Sequence, residues 1–171
     1  KTALSEFSNM RKGGIIAITI DPSDVLIDVK LTSGENDVVL ITPEGMSIRF
    51  HESNVRSMGR PAAGVRGITL DGEDAVVTLA IAEPSATLLV AGELGIGKRT
   101  SFEEYRVQSR GGKGIITMKT TERTGKVIGA LTVNEPDEIM LITVTGQMVR
   151  IAVRDIREAG RNTQGVKLID V

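Results

Sequence analysis

Four short segments of this chain carry the residue types that hold a polyanion. They are Met10-Arg11-Lys12-Gly13-Gly14, Gly59-Arg60-Pro61-Ala62-Ala63-Gly64, Gln108-Ser109-Arg110-Gly111-Gly112-Lys113-Gly114 and Gly160-Arg161-Asn162-Thr163-Gln164-Gly165. Arg56, Arg66, Arg106 and Arg157 lie close to them. Arg and Lys supply charge to phosphate oxygens, and Gln and Asn supply hydrogen bonds. Glycine lets a backbone approach a phosphate chain closely and leaves N–H groups free to point at it. The expected phosphate-binding residues are Arg11, Lys12, Arg56, Arg60, Arg66, Lys98, Gln108, Arg110, Lys113, Arg157 and Arg161. Such a set grips a sugar–phosphate backbone and reads no bases.

Other candidate chemistry is weaker. Gly92-Glu93-Leu94-Gly95-Ile96-Gly97-Lys98 has the spacing of a nucleotide-binding P-loop, but Arg99 stands where Ser or Thr is needed and no helix pattern follows. Tyr105 is the only tyrosine; it fills a slot held elsewhere by Phe7, Val55 and Ile156, which makes it a core residue. His51 is the only histidine, which argues against a histidine metal cluster or a catalytic Ser-His pair, and it reads as a surface residue after a strand. The pairs Asp21/Asp24 and Asp71/Asp74 recur at one point and read as turn residues. No nucleophile–base set is present. The chain is expected to be non-catalytic, with no cofactor or metal of its own.

The basic segments must be positioned by something regular, and the chain is a repeat of about fifty residues. Lys1, Arg49, Arg99 and Arg150 open the units, which run about 1–48, 49–98, 99–149 and an incomplete 150–171. A glycine followed by a branched apolar residue recurs at Gly14-Ile15, Gly64-Val65, Gly114-Ile115 and Gly165-Val166. Four residues before each later opening arginine stands another glycine: Gly45, Gly95, Gly146. Val38–Thr42 and Met46–Phe50 read as a β-hairpin turning at Gly45, and the same pattern recurs around Gly95 and Gly146. Two more strands are expected per unit: Ile15–Ile20 and Val25–Leu31, Val65–Leu70 and Ala75–Ile81, Ile115–Thr121 and Val127–Val133. Four strands per fifty residues predict an all-β, propeller-like array of four-stranded blades, about three and the start of a fourth. One such sheet cannot bury its apolar faces alone, so neighbours must cover them. Corresponding loops would then line one rim. Lys and Arg also guard sheet edges against pairing; their recurrence at one repeat position is what favours the rim.

Composition sets the remaining limits. The 171 residues hold 21 basic and 22 acidic side chains, a net charge of −1 that excludes a uniformly basic nucleic-acid binder. The charge is uneven: Gly95–Lys126 has eight basic and three acidic residues, and Pro61–Leu94 has one and five. No cysteine is present, which fits a cytoplasmic protein. The apolar runs are strand-sized, too short to span a bilayer as a helix. Starting at Lys1 within a recurring pattern, the chain is expected to be a piece of something longer.

Gln108–Gly114 matches six of seven positions of a box written Gln, basic, Arg, Gly, Gly, basic, Gly; only Ser109 departs. With Val55–Arg60, Gly64–Ile68, Gly97–Thr100, Thr121–Arg123 and Gly160–Val166, it resembles the C-terminal domain of bacterial DNA gyrase A subunits over essentially its whole length. The resemblance implies a β-pinwheel, a propeller relative whose blades exchange strands, and here its third to fifth blades with the start of the sixth. It implies non-specific binding and wrapping of duplex DNA, in support of ATP-dependent negative supercoiling. ATP and magnesium would bind elsewhere in the parent, a type IIA topoisomerase. The expected partners are duplex DNA, the gyrase A N-terminal breakage-reunion domain and gyrase B, with no membrane. The alternatives are the matching C-terminal domain of topoisomerase IV and a protein-interaction propeller that ignores DNA.

Overall fold

The computed structural model describes residues 1–171. Its strands are β1 (Asp37–Ile41), β2 (Met46–His51), β3 (Thr78–Ala82), β4 (Thr87–Gly92), β5 (Ile96–Ser101), β6 (Ile115–Ile116), β7 (Val127–Val133), β8 (Glu138–Ile142), β9 (Met148–Ala152) and β10 (Val166–Lys167). Short 3₁₀ turns follow the hairpins at Glu52–Asn54, Phe102–Glu104 and Val153–Asp155, and one precedes them at Leu4–Phe7. No helix is long and apolar enough to cross a membrane.

Each expected hairpin forms. β1 runs antiparallel to β2 with Val39 opposite Arg49, β4 to β5 with Leu89 opposite Arg99, and β8 to β9 with Met140 opposite Arg150. The first turn closes at Gly45, whose φ of +81° lies in the left-handed region. A Cβ there would stand 2.2 Å from the Met118 carbonyl oxygen, so no side chain fits.

The sheets are not built one per repeat. β3 adds to β1 and β6 to β2, giving the order β3-β1-β2-β6; β7 adds to β4 and β10 to β5, giving β10-β5-β4-β7; β8 and β9 form a two-stranded sheet. Each four-stranded sheet thus takes one hairpin and receives its outer strands from the two repeats that follow. This is the exchange of strands between blades that the resemblance implies, in place of one complete sheet within every unit. Val127–Val133 forms as expected. Ile115–Thr121 pairs only at Ile115–Ile116, and Ala75–Ile81 is displaced to Thr78–Ala82. Ile15–Ile20, Val25–Leu31 and Val65–Leu70 form no strand. A strand exists only where another backbone answers its N–H and C=O groups. The first hairpin already receives β3 and β6, and these 171 residues contain no earlier one for those segments to join. Ile16, Val25 and Leu31 are accordingly exposed.

Strand alternation sorts the side chains into successive cores. Val39 and Ile41 point to one face of the first sheet and meet Leu88, Val90, Phe102, Tyr105, Met118 and Val127 between the two four-stranded sheets. Leu89 faces the other way, joining Val133, Ile139, Val153, Ile156 and Leu168 between the second sheet and the β8–β9 hairpin. Val38, Ile48, Phe50 and Ile68 fill a smaller core on the outer face of the first sheet. The sheets therefore stack face to face, each covering its neighbour.

Candidate nucleic-acid interface

The basic segments at 59–64, 108–114 and 160–165 are corners that follow a hairpin and its 3₁₀ turn, and the segment at 10–14 holds the same repeat position. Repeat-equivalent backbone bonds dock each of the last three corners onto the stretch one repeat earlier. Thr19 N–H donates to the Ala62 carbonyl at 3.3 Å, Thr69 to Gly112 at 2.8 Å and Lys119 to Thr163 at 3.0 Å. Met58 N–H donates to the Lys1 carbonyl at 2.8 Å, Gln108 to Arg49 at 2.8 Å and Ala159 to Arg99 at 2.9 Å. The corner at 10–14 leads into Ile15–Ile20, which holds the corner at 59–64. That corner leads into Val65–Thr69, which holds 108–114. The third leads into Ile115–Lys119, which holds 160–165. The four corners follow one another in an unbroken file.

Side chains reinforce the same joints. Arg60 Nη1 donates to the Ile16 carbonyl at 2.8 Å, Arg110 Nη1 to Arg66 at 3.0 Å and Arg161 Nη1 to Ile116 at 2.8 Å. Arg110 Nε also donates to the Asn54 carbonyl at 3.0 Å. All three arginines are half-buried. From the strands, Arg49 Nη1 donates to the Phe102 and Tyr105 carbonyls at 2.8 and 3.2 Å, and Arg99 Nε to the Ile156 carbonyl at 2.6 Å.

The remaining expected residues divide by exposure. Arg11, Lys12, Arg56, Arg66 and Arg157 are exposed. Lys113 is exposed but paired with Asp71 at 3.1 Å. Gln108 is half-buried, its side-chain nitrogen enclosed without a partner. Lys98 is 1% exposed and corrects the expectation of a rim contact. Its ammonium points into the fourth corner and donates to the Gly160 and Arg161 carbonyls and, at 3.0 Å, to the Thr163 hydroxyl. Burial pushes its pKa down to about 8; Glu104 opposes that shift and Arg161 adds to it. The glycines also differ in role. The close approach at Gly114 is to protein backbone: a Cβ there would lie 2.1 Å from the Ser47 carbonyl oxygen.

Charge counted along Gly95–Lys126 overstates what the surface offers. Lys98 and Arg99 are buried, Arg110 is bound to carbonyls, and Lys113 and Lys126 pair with Asp71 and Glu44. Arg106, Lys119 and Arg123 stay exposed with no ion pair. Arg106 was absent from the expected contacts, yet it occupies the repeat position of Arg56 and Arg157, and that register is the signal that marks it. Tyr105 packs in the core as read, its hydroxyl 2.6 Å from that of Thr117, and burial pushes its pKa up. Gly92–Lys98 is the β4–β5 turn region, with no helix after it. Asp21 and Asp24 close a turn, Asp24 N–H donating to the Asp21 carbonyl at 2.9 Å.

The family model described as "DNA gyrase C-terminal domain, beta-propeller" matches residues 1–33, 36–83, 86–134 and 137–171. The chain is 50% identical over 169 residues to the DNA gyrase A protein of Salmonella typhimurium, covering 99% of the chain and 19% of that relative. It is 48% identical over 169 residues to that of Escherichia coli K12, with the same coverage, and 42% identical over 173 residues to that of Mycolicibacterium smegmatis, covering 100% and 20%. The chain thus spans about a fifth of the length of the curated relatives it matches. Among solved structures, it superposes on a C-terminal domain of DNA topoisomerase IV with a TM-score of 0.92 at 27% identity, over 99% of the chain and 53% of that structure. On a DNA gyrase A C-terminal domain the TM-score is 0.87 at 25% identity, over 94% and 55%. With repeats, exchanged strands and sequence all agreeing, this chain belongs to the DNA gyrase C-terminal domain family of β-propeller-like proteins.

Proposed function

We propose that this chain binds duplex DNA along its file of corners, without regard to sequence, and bends it as part of DNA gyrase. In this reading it supports ATP-dependent negative supercoiling by the whole enzyme, in the cytoplasm, and does no chemistry itself. ATP and magnesium act elsewhere in the parent. The partners are the breakage-reunion domain that precedes this one and the gyrase B protein. The observation that carries the reading is the docking of consecutive corners, which sets Arg56, Arg106 and Arg157 at one repeat position along a continuous path. A regular row of guanidiniums suits a regular row of phosphates and supplies no base-reading set. Bending a duplex site costs about 1–6 kcal/mol, which phosphate contacts with counterion release must offset.

Binding of two unrelated duplexes across a salt series tests this. Each phosphate neutralised contributes a log–log slope of about −0.9, so four contacts lower affinity about a hundredfold between 50 and 200 mM salt. Equal affinity for both duplexes with that slope is the expected result. Salt-independent binding, or none, would assign the surface to protein partners. The relatives at 42–50% identity are gyrase A proteins, which favours gyrase over topoisomerase IV despite the latter's close superposition.

A further inference from the structure

Arginine serves two different ends at these corners. We infer that Arg60, Arg110 and Arg161 are positioning residues that set the spacing between consecutive corners, and that phosphate is met by Arg56, Arg106 and Arg157. The inference rests on the DNA-binding reading above.

The first three stand at one repeat position, and each donates Nη1 to the carbonyl of a residue at one repeat position, Ile16, Arg66 or Ile116. Arg110 commits a second donor to Asn54, so its fork spans two acceptors in the preceding repeat. A lysine ammonium has the charge but not that fork. The Nε atoms of Arg60 and Arg161 are enclosed without a partner. Turning the whole guanidinium of any of the three toward a phosphate would break the bond that docks its corner on its neighbour.

Arg56, Arg106 and Arg157 are the opposite case. All three are exposed and make no hydrogen bond or ion pair through their side chains. The backbone beneath two of them is pinned on both sides. Arg106 follows Tyr105, whose carbonyl Arg49 holds, and precedes Gln108, whose N–H donates to the Arg49 carbonyl. Arg157 lies likewise between Ile156, held by Arg99, and Ala159, whose N–H donates to the Arg99 carbonyl. A fixed root with a free guanidinium suits a contact to a phosphate that follows the duplex.

The test uses the 171-residue chain, a duplex of mixed sequence and a salt series, with amide exchange as a second readout. Arg106→Gln should make the log–log slope shallower by about 0.9, the loss of one phosphate contact. Arg110→Lys keeps the charge, so the slope should hold while affinity falls at all salt concentrations. Exchange at Gly111 and Thr69, whose N–H groups bond across the joint, should quicken about tenfold through local opening. Arg161→Lys gives the same readouts at the next corner should the first variant unfold. If Arg110→Lys binds and exchanges like the parent while Arg110→Gln loses about 0.9 of slope, Arg110 meets phosphate; the inference is then wrong and the DNA reading stands. If the unaltered chain shows no salt-dependent binding, the DNA reading fails and takes the inference with it.

Discussion

Arg99 Nε donates to the carbonyl of Ile156 at 2.6 Å, joining residues 57 apart in sequence. The same guanidinium meets Glu135 at 2.6 Å, and Arg49 makes the matching contact to Tyr105 one repeat earlier. A strand arginine of one repeat therefore fastens the 3₁₀ turn of the next.

That contact has a measurable worth. Arg99 is buried and Glu135 is mostly exposed, so the carbonyl bond matters more than the ion pair. Arg99→Met should cost about 2 kcal/mol in urea unfolding, the range for a hydrogen bond from a charged donor. Glu135→Gln should cost less than about 1 kcal/mol.

Gly14 and Gly114 share a repeat position and nearly the same φ, +77° and +79°. Nothing lies within 4 Å of a Cβ built at Gly14, whereas one at Gly114 meets the Ser47 carbonyl oxygen. Gly14→Ala should cost about 1 kcal/mol, the strain of a left-handed alanine. Gly114→Ala should cost about 3 kcal/mol or more, because β6 must also part from β2. Equal losses in thermal unfolding would mean that this pairing contributes nothing.

Glu52 is buried where the equivalent residues are Phe102 and Val153. Burial pushes its carboxyl upward, but hydrogen bonds from the Asn36 N–H, the Thr32 hydroxyl and the Gly34 N–H, with the Lys1 ammonium, outweigh it, and the pKa falls below its usual 4.5. A carboxylate lowered on folding stabilises above its unfolded pKa, and that stability drains away as pH falls through the folded value. Urea midpoints should therefore drop below about pH 4.5, and Glu52→Gln should show a shallower drop.

Lys98 titrates near 8 when folded and near 10.5 when unfolded. Between those values the unfolded chain holds more protons, so stability should rise with pH from about 8 to 9.5. Lys98→Met should lose that rise, and lose stability at neutral pH because the Gly160 and Arg161 carbonyls give up a donor. A pH series of melting temperatures on both proteins checks the sign.

The hairpins were readable because their turn glycines recur in one register and the apolar runs around them alternate. The exchange of outer strands was not readable from the residues themselves. An apolar run such as Val127–Val133 shows that it will pair, and says nothing about whether its partner is its own hairpin or the one before. At the corners, residue type showed charge but not direction. Arg56 and Arg60 are alike in sequence, yet one guanidinium is exposed and the other is turned onto the Ile16 carbonyl. Lys98 carried a usable warning: its repeat mates are Ile48 and Val149, and a lysine in an apolar slot is placed inside by its neighbours.

The donated strands also impose an order on synthesis. The first four-stranded sheet begins at Asp37 and closes only at Ile116. A nascent chain emerging from the ribosome would expose the β2 edge until just over two-thirds of these residues had been made. Sheets of such distant pieces fold slowly, and no single repeat can melt and reform by itself as one does in a simple solenoid.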